Sequence, residues 1–189
     1  DHFAGGDLRS DFIGQNPNWH NPAFSLRGPR SDYTLDRLKK GILDKMPYTT
    51  FFIDLDETVY SSSCGVWEAI SRRMEQYMHE RLNLAREEIP ALRKSLYQQY
   101  GTTLRGLQMT RHVDEHEYVN YVHDVPLDQY LSPDPELCEI LQRYPQQKII
   151  FTNADRNHAK RVMERLEIAG CFDGMVDIFD IAPYCKPMP

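Results

Sequence analysis

Two carboxylates one residue apart, Asp54 and Asp56, stand directly after the apolar run Thr50-Phe51-Phe52-Ile53. With ordinary pKa values near ~4, both are ionised at neutral pH and repel each other unless a cation or a shared proton comes between them. Such a pair suits a hard divalent cation, oxygen ligands and a phosphate substrate. If the extended backbone continues through Leu55, the two side chains fall on the same side. Taken alone, the D-x-D-x-T pattern of Asp54, Asp56 and Thr58 also describes an Asp-rich turn capped by a threonine. Its place at the end of a strand gives it weight.

Two later positions fit the same chemistry. Lys148-Ile149-Ile150-Phe151 is a second apolar run ending in small polar groups, Thr152 and Asn153, and a loop near the end carries Cys185-Lys186-Pro187. Singly, Thr152 reads as a strand-end hydroxyl that satisfies backbone, and Lys186 as a solvated loop lysine. Their position relative to the strands decides between these readings.

The run around Phe51 to Ile53 is short, aromatic and β-branched, which predicts a central strand covered on both faces. After Tyr60 the period changes to that of a helix. Val66, Ile70, Met74, Tyr77, Met78 and Leu82 predict an amphipathic helix from about Val66 to Leu82. Pro90 to Tyr100, a segment from Thr103, Asp114 to Val122, and a segment opening at Asp134-Pro135 predict four more. The chain then returns to strand and helix. Asp155 is placed to cap a helix lined by Ala159, Val162, Met163 and Leu166, with Gly170 at its C-terminal position and a third strand within Gly174 to Phe179. This order predicts an α/β fold, a doubly wound parallel sheet whose site lies beyond the carboxyl ends of its strands, with an all-helical insertion after the first strand. Asp54 and Thr152 both sit at such ends. In domain terms, 46–62 and 146–189 form the core, 63–145 the helical insertion, and 1–45 an extension of unassigned role, loop-like to Arg30 with a short helix from Ser31 to Lys40.

Of 189 residues, 41% are hydrophobic and 26% charged, a globular composition with room for a real core. A net charge of −6, with Lys and Arg scattered, argues against a nucleic-acid polymer as partner. Cys64, Cys138, Cys171 and Cys185 show no C-x-x-C spacing and no leader-like segment opens the chain. The expectation is reduced thiols and a cytoplasmic location, with no membrane span. Oligomeric state is not specified.

Asp54-Leu55-Asp56-Glu57-Thr58-Val59-Tyr60, Phe151-Thr152-Asn153-Ala154 and Lys186-Pro187 resemble, in order, the first three motifs of the haloacid dehalogenase-like hydrolases. The phrases YGTTLRGL (Tyr100 to Leu107), YVHDVPL (Tyr121 to Leu127) and FTNADRNHAKRV (Phe151 to Val162) are similar to its pyrimidine 5'-nucleotidase branch. The resemblance runs from about Met46 to the last residue. It implies a Rossmann-like hydrolase core with a helical cap, acting on a small phosphomonoester such as a nucleoside 5'-monophosphate. Asp54 would be the nucleophile that forms an aspartyl-phosphate, and Asp56 the acid and then the base. Thr152, with the Asn153 backbone amide, would bind a phosphoryl oxygen, and Lys186 would neutralise charge. Mg²⁺ would sit on the Asp54 carboxylate and the Asp56 main-chain carbonyl. Arg105, and less directly His123-Asp124, are candidates for substrate contact.

The family's fourth motif, an acidic pair completing the Mg²⁺ site, would follow the lysine, and the sequence ends at Pro189 before any such segment. The core is therefore expected to be incomplete, either as part of a longer protein or with Asp173, Asp177 and Asp180 standing in. The alternative this raises is a catalytically incompetent fragment or a phosphate-binding relic of the fold without turnover. A remoter alternative is a zinc peptidase, because His112-Val113-Asp114-Glu115-His116 fits H-x-x-E-H. An Asp114 helix cap would split that motif.

Overall fold

A computed structural model describes residues 48–187. The elements run β1 (Thr50–Ile53), α1 (Val66–Glu80), α2 (Ile89–Tyr100), α3 (Thr103–Arg111), α4 (Glu115–Val122), α5 (Pro135–Gln142), β2 (Gln147–Phe151), α6 (Arg156–Arg165) and β3 (Gly174–Val176). The expected loop and helix upstream of Lys40 lie outside the described residues. All strand pairing is parallel, in the order β1-β2-β3, with Ile53 opposite Ile150 and Phe151 opposite Val176. The α/β class and parallel sheet expected from the strand-helix-strand order are present. The carboxyl ends of β1 and β2 lie side by side, and this pairing sets Asp54 next to the turn that carries Thr152.

Helix limits follow local chemistry. Asp114 caps α4 through the Glu117 amide, Asp134 caps α5 through the Leu137 amide, and Pro135 opens α5 where no amide is needed. Asp155 caps α6 by accepting from the amides of Asn157 (2.9 Å) and His158 (3.1 Å).

Among the described residues β1 pairs only with β2, and Phe52 is 64% exposed. An unbroken apolar run does not say which strand has a neighbour on each side, and β2, with Ile150 fully buried, holds the middle of these three strands. One expectation is corrected. Helix α6 ends at Arg165, before Gly170, because Glu167 takes up the left-handed conformation (φ 59°) and Gly170 falls in the short 3₁₀ turn Ala169–Cys171.

The buried apolar residues form two clusters. One joins Leu55 and Ile150 to Val66 and Ile70 from the first half of α1, to Leu141 of α5, and to Ala159, Val162 and Met163 of α6. The other joins Tyr77 and Met78 from the second half of α1 to Ile89 and Leu96 of α2, Leu104 and Leu107 of α3, and Tyr118 and Val122 of α4. Each Val, Leu, Ile or Met among them contributes roughly 1.5–3 kcal/mol on burial. Helix α1 thus has one half in each cluster and spans the distance between the sheet and the other helices.

Candidate active site at the carboxyl ends of the strands

The chain leaves β1 in a tight turn rather than continuing as a strand. Leu55 is fully buried, and its carbonyl accepts from the amides of Thr58 (3.2 Å) and Val59 (3.0 Å) while Glu57 adopts φ 57°. Anchoring Leu55 in the core leaves Asp54 and Asp56 on either side of it, and they turn to different partners.

The Asp54 side chain is 49% exposed. Its Oδ1 meets Lys186 Nζ at 2.7 Å and accepts from the Leu55 amide at 2.8 Å. Lys186 also donates to the Phe151 carbonyl at 2.6 Å, so the ammonium bridges the carboxyl ends of β1 and β2. The loop that carries it is held by a reciprocal pair. Asn153 Nδ2 donates to the Lys186 carbonyl (2.9 Å), and the Lys186 amide donates to Asn153 Oδ1 (2.8 Å). The Asn153 side chain is therefore a clamp on Lys186, which leaves only its backbone amide for an anion. Thr152 is 1% exposed, and its hydroxyl accepts from the Ala154 amide at 2.9 Å. That is the structural role a strand-end threonine performs, and it leaves the hydroxyl proton to be donated elsewhere.

Asp56 is enclosed. Its Oδ1 accepts from the Tyr60 hydroxyl at 2.6 Å and pairs with His158 Nε2 at 2.9 Å. Burial works to raise its pKa, but the charge and hydrogen bond of His158 and the Tyr60 hydroxyl outweigh it and hold the carboxyl below its ordinary value. Burial and the same carboxylate push the Tyr60 phenol far up. His158 is fully buried and stacks on His123, with ring centroids 4.3 Å apart and planes at 22°. His123 Nδ1 in turn pairs with Asp155 Oδ2 at 2.5 Å. Burial lowers the His123 pKa, helped by the neighbouring His158 and opposed by Asp155. Asp155 is pulled down to about 2: burial raises it, but the His123 bond and charge and the capping amides outweigh that.

Tyr60, His158 and Asp155 are the members of this site that sequence reasoning did not assign to it. Tyr60 carried a weak signal, since it lies four residues after Asp56 across a turn. His158 stands within the nucleotidase-like phrase Phe151 to Val162, but no spacing ties it to Asp56, 102 residues earlier in the chain. Of the weaker candidates, His123 is buried on Asp155, while Asp124 is a surface partner of Arg73 at 3.4 Å. Arg105 lies in the first turn of α3 and lines a small cavity of about 100 Å³ with Thr102, Tyr184 and Cys185, one residue from Lys186.

The acids expected to stand in for a fourth motif serve local structure. Asp173 accepts from the Lys148 amide (2.8 Å), Asp177 from the amides of Phe179 and Asp180 (3.0 Å each), and Asp180 pairs with Arg156 at 2.6 Å. Among the described residues, no group of three or more His, Cys, Asp or Glu side chains is placed to share an ion. The H-x-x-E-H stretch is broken, since His112 ends α3 in a left-handed conformation (φ 54°) and Asp114 starts α4, so its two histidines belong to different helical segments. For Mg²⁺, the half-exposed Asp54 carboxylate and the Asp56 main-chain carbonyl are hard oxygen donors of the right type. They suit an ion that keeps several waters and takes others from a phosphate.

A family model described as haloacid dehalogenase-like hydrolase matches residues 48–189. The chain is also similar to Phosphate metabolism protein 8 of Saccharomyces cerevisiae, 32% identical over 153 residues that cover 74% of this chain and 48% of that protein. The chain thus spans about half the length of that relative. Among the described residues, no helix is long and apolar enough to cross a membrane.

Proposed function

This chain belongs to the haloacid dehalogenase-like hydrolases, and from that premise we propose that it hydrolyses a small phosphomonoester through an aspartyl-phosphate on Asp54, with Mg²⁺. A nucleoside 5'-monophosphate is the substrate that the nucleotidase-like phrases favour, and the name of the yeast relative is in keeping with phosphate chemistry. The observation that carries the reading is the Lys186 ammonium 2.7 Å from Asp54 Oδ1 at the carboxyl end of β1. A half-exposed carboxylate with one oxygen held by a cation is oriented to attack phosphorus with the other, and the same cation offsets the charge of the incoming phosphoryl group.

In the first step an Asp54 oxygen bonds to phosphorus, and the ester oxygen leaves with a proton from Asp56, which His158 and Tyr60 hold ionised at rest and which first takes that proton from solvent on Oδ2. In the second, Asp56 takes a proton from water, which attacks the acyl phosphate and returns Asp54 as a carboxylate with release of phosphate. The Thr152 hydroxyl and the Asn153 amide donate to phosphoryl oxygens. Mg²⁺, held by the Asp54 carboxylate and the Asp56 main-chain carbonyl, would supply further neutralisation of phosphoryl charge. The helices between β1 and β2, within residues 63–145, form the cap over a core made of 46–62 and 146–189, and Arg105 on α3 contacts the substrate beyond the phosphate. The four free cysteines fit a cytoplasmic setting.

The test is phosphate release from a panel of nucleoside and sugar monophosphates, with and without Mg²⁺, by this chain and its Asp54→Asn variant. Turnover needing both Mg²⁺ and Asp54 supports the reading. Phosphate binding by a folded chain that turns nothing over would instead select the alternative, a catalytically incompetent fragment or a phosphate-binding relic of the fold.

A further inference from the structure

We infer that His158 is a positioning residue for Asp56: it pins Oδ1 of that carboxylate so that Oδ2 carries the proton to and from the substrate. The inference rests on the reading of Asp56 as acid and base, and adds a residue outside the three short motifs at Asp54 to Tyr60, Phe151 to Ala154 and Lys186-Pro187.

Both hydrogen bonds to Asp56 converge on one oxygen. Tyr60 donates to Oδ1 at 2.6 Å and His158 Nε2 lies 2.9 Å from the same atom. A carboxylate held at one oxygen from two directions has its plane fixed, and its second oxygen is set in direction as well as position. His158 has the features of a fixed strut. Its side chain is fully buried, its other ring nitrogen Nδ1 meets no hydrogen-bond partner, and one ring face is covered by His123. With no acceptor at Nδ1, the ring's hydrogen bond has one destination, and Nε2–H points at Asp56.

The strut is itself braced at both ends. Asp155 accepts from the His158 backbone amide at 3.1 Å, fixing where α6 begins, and through its other oxygen holds His123 at 2.5 Å. His123 follows directly on α4, so a residue arriving from the helical segment completes the wall behind the strut. Two stretches far apart in the chain thus meet at one stacked pair of rings and act on one carboxylate oxygen. His158 touches no substrate in this arrangement and acts only through Asp56.

The test uses two esters of unequal need for an acid: a nucleoside 5'-monophosphate, whose alkoxide leaves poorly, and nitrophenyl phosphate, whose phenolate leaves well unaided. For His158→Phe, which keeps a ring but removes the donor, kcat on the nucleotide falls on the order of 10²-fold and kcat on the aryl ester by less than about 10-fold, with KM little changed on both. His158→Gln, whose amide nitrogen can reach the Nε2 position, recovers most of the loss. Because the ratio of the two rates is internal to each preparation, a partly unfolded variant scales both alike and leaves the ratio unchanged. Equal losses on both esters, no loss on either, or His158→Gln no better than His158→Phe overturn the inference while Asp54→Asn still abolishes turnover. If Asp54→Asn keeps its activity, or the parent chain hydrolyses neither ester, the reading of the site itself has failed.

Discussion

The ammonium of Lys186 lies 2.7 Å from Oδ1 of Asp54 and 2.6 Å from the carbonyl of Phe151, so one cation ties together the ends of two parallel strands. Both partners are partly solvated, with side chains 27% and 49% exposed, and an ion pair in that setting contributes under about 1 kcal/mol to stability. Its worth is chemical. Lys186→Met is expected to fold with a Tm close to the parent and to lose phosphate turnover by about 10²–10³-fold, the usual loss when one preorganised charge-stabilising donor is removed. A melting curve beside a phosphate-release assay checks it, and a large fall in Tm with turnover preserved would show the lysine to be structural.

Metal removal separates the two carboxylates. Oδ1 of Asp56 is taken by Tyr60 and His158 and the proposed mechanism uses Oδ2 for proton transfer, so on that reading Asp56 meets Mg²⁺ through its main-chain carbonyl and Asp54 through its carboxylate. Chelation should abolish turnover and Mg²⁺ should restore it. Asp56→Asn should keep the rise in Tm that Mg²⁺ produces while losing turnover, and Asp54→Asn should lose both. A Mg²⁺ titration followed by thermal melting reads this, and loss of the Mg²⁺ response in Asp56→Asn would move that carboxylate into the metal's coordination sphere.

Acid sensitivity follows from His123 and Asp155. Burial lowers the folded-state pKa of His123, so below its ordinary value near ~6.5 the unfolded chain binds more protons and stability falls with pH. Asp155, pulled down to about 2, contributes stability fully present above ~3.9 and lost as pH falls towards about 2. The expected profile is a plateau near pH 7–8, a first decline beginning near ~6.5 and a second below ~4. His123→Phe should remove the first decline and cost about 1–3 kcal/mol at neutral pH by leaving Oδ2 of Asp155 without its partner, while Oδ1 keeps the capping amides. Denaturant melts from pH 3 to 8 measure both.

What the sequence made legible is set by how local the signal is. The spacing of Val66, Ile70, Met74 and Tyr77 and the caps at Asp114, Asp134 and Asp155 are written within a turn or two, and those helices lie where the pattern places them. Asp54, Asp56, Thr152 and Lys186 could be singled out because strand ends and family motifs mark them. Which strands pair was not legible, because pairing is a property of two strands and Phe51-Phe52-Ile53 reads the same beside one neighbour or two. Nor was the division of labour between the carboxylates. That Asn153 clamps Lys186, and that Asp56 faces His158, depends on contacts between residues far apart in the chain, for which no spacing rule exists.

Gly106 gives a test of the packing that supports the helical segment. It faces Leu96 across the contact of α2 and α3, and a Cβ built on it would lie 2.7 Å from both Cβ and Cδ2 of Leu96. Leu96 is 4% exposed and sits among Tyr77, Ile89 and Leu107 in the second buried cluster, so it has little room to withdraw. An added methyl in a helix would ordinarily stabilise, by roughly 1 kcal/mol for Gly to Ala. Here the overlap involves the Cβ of Leu96, which moves only with its backbone, and forcing such a contact costs typically ~1–3 kcal/mol. The clash outweighs the propensity gain, and Gly106→Ala is expected to lower the Tm. Truncating the obstacle reduces the cost: in a Leu96→Ala background the Cγ and Cδ2 contacts are gone while the Cβ contact stays, and Gly106→Ala should cost measurably less than it does in the parent. A double-mutant cycle by thermal or urea melting gives the coupling directly. Additive effects of the two substitutions would mean that the helices do not meet at these residues.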